Sequence, residues 1–141
     1  MTYLLDTCVL SELQKPAPDP RVAAWFDAED EAAMFASVLT VGELRKGAVR
    51  VGPGTTRIRW LAWIEGSLLP SFGRRLLPVS IEVANAWGEM CGRAAVRGEP
   101  LPVLDSLIAA TAVANDLVVV TRNVRDFERS GVTVLNPWLP L

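Results

Sequence analysis

The sequence contains no histidine. That absence removes the Ser-His-Asp and Cys-His nucleophile schemes, the HExxH proteases and every histidine-ligated metal. Cysteine is scarce as well. Cys8 and Cys91 stand far apart and form no C-x-x-C pair, which argues against a disulfide framework and against a thiolate zinc site. Long apolar runs are missing: stretches such as Leu117 to Val120 are far too short to cross a bilayer. A basic surplus is missing too. The formal net charge is −2, and Lys15 and Lys46 are the only lysines, so any contact with nucleic acid must rest on a local patch. The opening residues Met1-Thr2-Tyr3-Leu4-Leu5-Asp6 place no basic region ahead of an apolar one, so no signal peptide is expected and the cytoplasm is the default compartment. An enzyme built from this chain must work with carboxylates, hydroxyls, amides, arginines, lysines or a bound ion.

The chain offers 141 residues, half of them hydrophobic and 21% charged. That suffices for one core, argues against disorder and suits one domain over residues 1–141. Strand and helix signals alternate. Tyr3 to Leu5 reads as a strand ending at Asp6-Thr7, followed by a short helix over Val9 to Leu13 that stops before Pro16. Arg21 to Glu29 has helical spacing, Ala33 to Ala36 reads as a second strand, and Ser37 or Thr40 caps a helix running to about Val51. Arg57 to Leu69 reads as a helix with Ile58, Leu61, Ile64 and Leu68 on one face. Leu76 to Val79 is a third strand. The helix begun by Ser80 has an apolar stripe of Val83, Ala84, Trp87, Met90, Cys91 and Ala94. Asp105 to Asn115 is a helix, Leu117 to Val120 a β-branched central strand, Val124 to Glu128 a short helix and Val132 to Leu135 a last strand. This alternation predicts an α/β fold, a mainly parallel sheet with helices on both faces.

In such sheets ligands bind beyond the carboxyl ends of the strands. Asp6, Glu43, Asp105, Thr121, Asn123 and Asp126 fall at such positions. Carboxylates gathered without a cation repel one another, and oxygen-only donors of high negative charge suit Mg²⁺ or Mn²⁺. Taken singly, each residue has a structural alternative. Asp6 and Asp126 fit helix caps, Asp105 a first-turn acid, Glu43 a solvated helix charge, and Asp116 a plain turn residue.

Four segments together resemble the PIN-domain family, and more narrowly its VapC and FitB toxins. They are Leu4-Leu5-Asp6-Thr7-Cys8-Val9-Leu10-Ser11-Glu12, Ser37 to Gly47 around Glu43, Asp105 to Ala112, and Thr121-Arg122-Asn123-Val124-Arg125-Asp126-Phe127; the tail Leu135-Asn136-Pro137-Trp138 is similar to the FitB-like end. The resemblance implies strand order 3-2-1-4-5 and a Mg²⁺-dependent ribonuclease site. Asp6, Glu43 and Asp105 take the first three acidic roles. The fourth falls to Asn123, through its amide oxygen, or to Asp126 as a metal ligand. Thr7, Thr121 and Arg122 are the implied partners of the carboxylates or the substrate phosphate. The resemblance further implies an RNA substrate, a homodimer, and a cognate antitoxin that contacts DNA and wraps the toxin. Trp25, Phe26 and the Arg57–Leu69 helix are expected to line the groove for it. Two other architectures compete. A receiver-like binding module needs an acidic pair where Asp6 is followed by Thr7, and a strand-end phosphatase needs a second Asp where Cys8 stands. A degenerate PIN domain acting as a scaffold is a further alternative.

Overall fold

The central strand β1 (Tyr3–Leu5) is buried at every residue, and its side chains divide between two cores. Successive residues of a strand point to opposite faces. Tyr3 and Leu5 accordingly join one apolar cluster with Val22, Trp25, Met34, Ile64, Leu68 and Val120. Leu4 joins the other, with Val83, Ile108, Ala109, Val119 and Phe127. Burying both faces requires a parallel sheet clad in helices, and each fully buried Leu, Val or Ile contributes roughly 1.5–3 kcal/mol.

The computed structural model describes residues 1–140. Leu141, the last residue of the expected domain, lies outside the described residues. The strands are β1, β2 (Met34–Ser37), β3 (Leu76–Leu77), β4 (Val118–Val120) and β5 (Val134–Leu135), in the order β3-β2-β1-β4-β5. Every pairing is parallel, and Leu4 stands opposite both Phe35 and Val119. The expected fold class and strand order are the observed ones.

The helices are α1 (Thr7–Leu13), α2 (Pro20–Ala28), α3 (Val38–Arg50), α4 (Thr55–Trp63), α5 (Leu69–Phe72), α6 (Ile81–Val96), α7 (Val103–Asn115) and α8 (Val124–Glu128). Ser37, not Thr40, caps α3, its side chain accepting from Leu39 N at 3.0 Å; Thr40 is fully buried inside the helix. The edge strands are shorter than the sequence suggests, two residues each. In α6, Val83, Met90 and Ala94 are buried as expected, whereas Ala84 faces solvent.

The single helix expected over Arg57 to Leu69 is an α-helix, a π-turn (Ile64–Leu68) and the short α5 in succession. Pro70 explains the break. A proline has no N–H to give, and its ring collides with the carbonyl four residues back. Widening the turn, with Leu69 N–H reaching back to Ile64 O, relieves that collision. Ile64 and Leu68 are buried, whereas Ile58, six residues before Ile64 and so on another face of α4, is 67% exposed. Trp25 is also corrected. It is 5% exposed and packs edge-on against Tyr3, ring centroids 5.1 Å apart, so it belongs to the core and not to an open groove.

Candidate functional site

The carboxyl ends of β1 and β4 lie side by side, and the ladder continues one residue past each. Asp6 N donates to Val120 O at 3.0 Å, and Thr121 N donates to Leu135 O at 3.0 Å. Backbone bonding therefore sets Asp6 and Thr121 as neighbours before either side chain is considered. The Thr121 hydroxyl, fully buried, donates to Asp6 Oδ2 at 2.8 Å. The other oxygen, Oδ1, accepts Thr7 N at 2.9 Å, so Asp6 does cap α1, as the simple reading of it allows. The capping and the site position coexist because α1 starts where β1 ends.

Thr7 also binds outward. Its hydroxyl donates to Glu43 Oε1 at 2.5 Å, tying α1 to α3. Asp105 lies in the first turn of α7 and Asp126 in the first turn of α8. Burial raises the Asp6, Glu43 and Asp105 carboxyls above their ordinary values, and neighbouring charge adds to the rise. Asp105 acts on Asp6, Asp6 on Glu43, and Asp126 and Glu43 on Asp105. The hydroxyls of Thr121 and Thr7 and the charge of Lys46 oppose the rise without cancelling it. Four acids far apart in sequence thus share one electrostatic neighbourhood.

Asn123 precedes α8 and is exposed; its backbone N–H donates to Thr121 Oγ1 at 3.0 Å, and its side chain forms no cap bond to the helix. Of the two residues eligible for the fourth role, Asp126 is the one whose charge reaches Asp105. The Arg122 guanidinium lies 4.2 Å over the Trp138 ring and 3.5 Å from Glu12.

Two further residues join the site that the sequence did not single out. Cys8 Sγ lies 3.7 Å from Asp6 Oδ2 and 3.5 Å from Thr121 Oγ1, and burial raises its pKa. Glu12 is 5% exposed and accepts from Lys15 Nζ at 3.0 Å and Asp19 N at 3.1 Å. Lys15 and these bonds hold its carboxyl below the usual range, the opposite of the other site acids. Its signals in the sequence are its place at the end of the first family-like segment and Lys15 three residues later.

The donor set suits a hard divalent cation, being oxygen-rich and electrically frustrated without one. Among the described residues no three acidic or cysteine side chains form a ready-made cage. Mg²⁺ does not ask for one, since it usually takes one or two carboxylates and keeps several waters until a phosphate replaces them.

Comparison with known proteins places this geometry. The PIN domain family model matches residues 3–131. The VapC ribonuclease Y4jK of Sinorhizobium fredii is 37% identical over 137 residues, covering 97% of this chain and 98% of its own. Toxin FitB of Neisseria gonorrhoeae is 37% identical over 135 residues, covering 96% and 97%. The solved structure of FitAcB from Neisseria gonorrhoeae superposes with a TM-score of 0.90 at 36% identity over 97% of this chain and 99% of the other. VapBC-5 from Mycobacterium tuberculosis, a member of the VapBC family of toxin-antitoxin systems, shares the fold with a TM-score of 0.61 at 26% identity over 95% of each chain. The chain belongs to the PIN domain family.

Proposed function

We propose that the protein is the toxin of a type II toxin–antitoxin pair, a Mg²⁺- or Mn²⁺-dependent endoribonuclease acting on RNA phosphodiester bonds. The observation that carries this reading is the gathering of Asp6, Glu43 and Asp105 beyond the carboxyl end of the sheet, where Thr121 and Thr7 tie Asp6 and Glu43 in place and burial first, then neighbouring negative charge, raises all three carboxyls. Groups that destabilise one another in this way mark a place where a positive ligand is to be received. The relatives named as ribonuclease and toxin point to the same chemistry.

In this mechanism Asp6 and Asp105 hold the cation, with Asp126, or Asn123 through its amide, completing the site beside Glu43. The bound ion supplies Lewis-acid stabilisation of the charge that builds on the scissile phosphate. Thr121 and the Thr7 N–H fix both oxygens of Asp6, so the carboxylate plane is set before substrate arrives. Thr7 fixes Oε1 of Glu43 and leaves Oε2 to orient the attacking water and take its proton. Raised carboxyl basicity serves that second role.

Three adjoining cavities of about 320, 370 and 320 Å³ form a groove leading away from Thr7 and Glu43. Trp60 is common to the first two and Trp63 to the last two; Phe26 and Phe72 line the far end. An amphipathic antitoxin segment fits an apolar groove of this kind, and its basic side chain would meet the acids at the near end. Contact with DNA would then come through the antitoxin alone. A cytoplasmic homodimer follows from the same family reading. No helix among the described residues is long and apolar enough to cross a membrane.

The test uses toxin purified free of its partner. Added Mg²⁺ should produce RNA cleavage that EDTA and Asp6→Ala each reduce by a factor of about 10² or more. Cleavage that survives both excludes the mechanism. Mg²⁺ binding without cleavage of any RNA would leave a binding scaffold.

A further inference from the structure

We propose that Glu12 is a positioning residue: through Arg122 and Trp138 it fixes the loop after β4 that carries Thr121, and so sets Asp6. This rests on the nuclease reading above for its kinetic consequence, though not for its structural one. A carboxylate is costly to bury, and one held at 5% exposure requires a reason. Glu12 accepts from three separate segments: Lys15 Nζ on the turn after α1, Asp19 N ahead of α2, and Arg122 Nη2 at 3.5 Å on the loop after β4. None of these is a site acid, and Glu12 shares no charge elevation with Asp6, Glu43 or Asp105.

The C-terminal tail closes the arrangement. The Arg122 guanidinium carbon lies 4.2 Å over the ring of Trp138, which is 8% exposed, and the Trp138 carbonyl accepts Arg21 Nη1 at 2.8 Å. Arg122 is thus held by a carboxylate and by an aromatic face. Its backbone is held too, Arg122 N donating to Cys8 Sγ at 3.5 Å. The residue before it is Thr121, whose hydroxyl grips Asp6 Oδ2 and accepts Asn123 N. Anchoring the Arg122 side chain therefore anchors the two residues that flank it.

The anchor also solves an electrostatic problem. A guanidinium one residue from Thr121 stands beside a cluster of carboxylates with no cation bound, and a free arginine there would be drawn among them. Glu12 and Trp138 provide a competing seat, so the acids stay open to the ion. Removing the Glu12 charge should loosen the loop and expose Asp6 to Arg122.

The experiment compares the full chain with Glu12→Gln, Arg122→Gln and the double variant, all with cooperative thermal unfolding. Amide hydrogen exchange at Thr121 and Asn123 reads the loop without any cleavage. Exchange should quicken about tenfold in each single variant and no further in the double variant, because both act on one link. Calorimetric Mn²⁺ titration should show weaker binding in Glu12→Gln, and RNA cleavage should lose about tenfold to a hundredfold in kcat with KM within about twofold. Glu12→Gln that exchanges, binds and cleaves like the parent overturns the proposal, as do losses that multiply in the double variant. If Glu12→Gln does not fold, Arg122→Gln carries the exchange test: unchanged exchange there overturns the proposal. A parent chain that cuts no RNA defeats the nuclease reading and leaves the exchange result to decide this one.

Discussion

Thr7 shows how much a single residue contributes to this site. Its backbone N–H binds Asp6 and its hydroxyl binds Glu43, so one residue links two acids on different elements. The acids were legible from their strand-end positions, and the family-like segments named Thr7 and Thr121 as their hydroxyl partners; which hydroxyl binds which acid was not legible, because a Thr after a strand has many uses. Cys8 and Glu12 were illegible for a related reason: their roles depend on Thr121 and Arg122, more than a hundred residues away. The pH dependence of stability follows from the carboxyls. A carboxyl whose pKa is raised on folding takes up a proton on folding, so its contribution to stability is present at acid pH. That contribution is lost as pH rises from the unfolded value, 3.8 for Asp6 and Asp105 or 4.5 for Glu43, through the raised folded value. Glu12 has the opposite sign, its contribution being lost as pH falls through its lowered folded value. Metal-free protein should therefore melt lower as pH rises from the acid side of the raised carboxyl values to pH 7.5, and Mg²⁺ should narrow the difference. Asp6→Asn should raise the metal-free midpoint at pH 7.5 by roughly 3–5 °C, about 1 kcal/mol, while removing cleavage. Calorimetric scans at the two pH values check this; a drop in midpoint for Asp6→Asn would contradict the repulsion.

At the scale of elements, β1, β4, α3, α7 and α8 were legible because apolar periodicity and strand-end breaks agree for each of them. The α4–α5 region was not. Its stripe was read as one helix running through Pro70, whereas a π-turn intervenes at Ile64–Leu68, and Ile58, six residues before Ile64 in regular α4, falls on a different face and stays in solvent. The α7–β4 junction has its own special residue. Asp116, read as a plain turn residue, closes α7 in the left-handed conformation with φ 54° and ψ 54°. A side chain with a Cβ is disfavoured there, and glycine is the usual occupant. The structural uses of Asp116 are made by its backbone: its carbonyl accepts the Thr2 hydroxyl at 3.4 Å, and its N–H closes on Val113 O. Asp116→Gly should therefore be tolerated and stabilise by up to about 1 kcal/mol, the relief of left-handed strain exceeding the added chain entropy. The measurement is the urea midpoint at unchanged m-value. A midpoint shifted downward by more than about 0.5 kcal/mol would show that the Asp116 side chain does something the backbone account omits.

Across the whole molecule, a net charge of −2 has to coexist with the proposed RNA substrate and the proposed protein partner. The acids gather at one end of the Trp60–Trp63 groove, and away from them the groove is lined by the two tryptophans together with Lys15 and Arg59. That gradient favours a partner whose apolar residues bind first and whose basic residue arrives at the acids, an order that delivers inhibition together with affinity. Trp60 and Trp63 stand edge to face, centroids 5.6 Å apart, and both line the groove. Neither is in the fully buried core, so a polar replacement spares the fold better than one at Trp25. Trp63→Glu should weaken binding of the proposed cognate antitoxin by at least about thirtyfold, roughly 2 kcal/mol, through loss of an aromatic anchor and burial of an unpaired charge. Surface plasmon resonance on the immobilised toxin gives the affinity, and circular dichroism melting confirms that the variant is folded. Undiminished affinity in a folded Trp63→Glu would move the partner off this groove and remove the structural account of how it reaches Asp6 and Glu43.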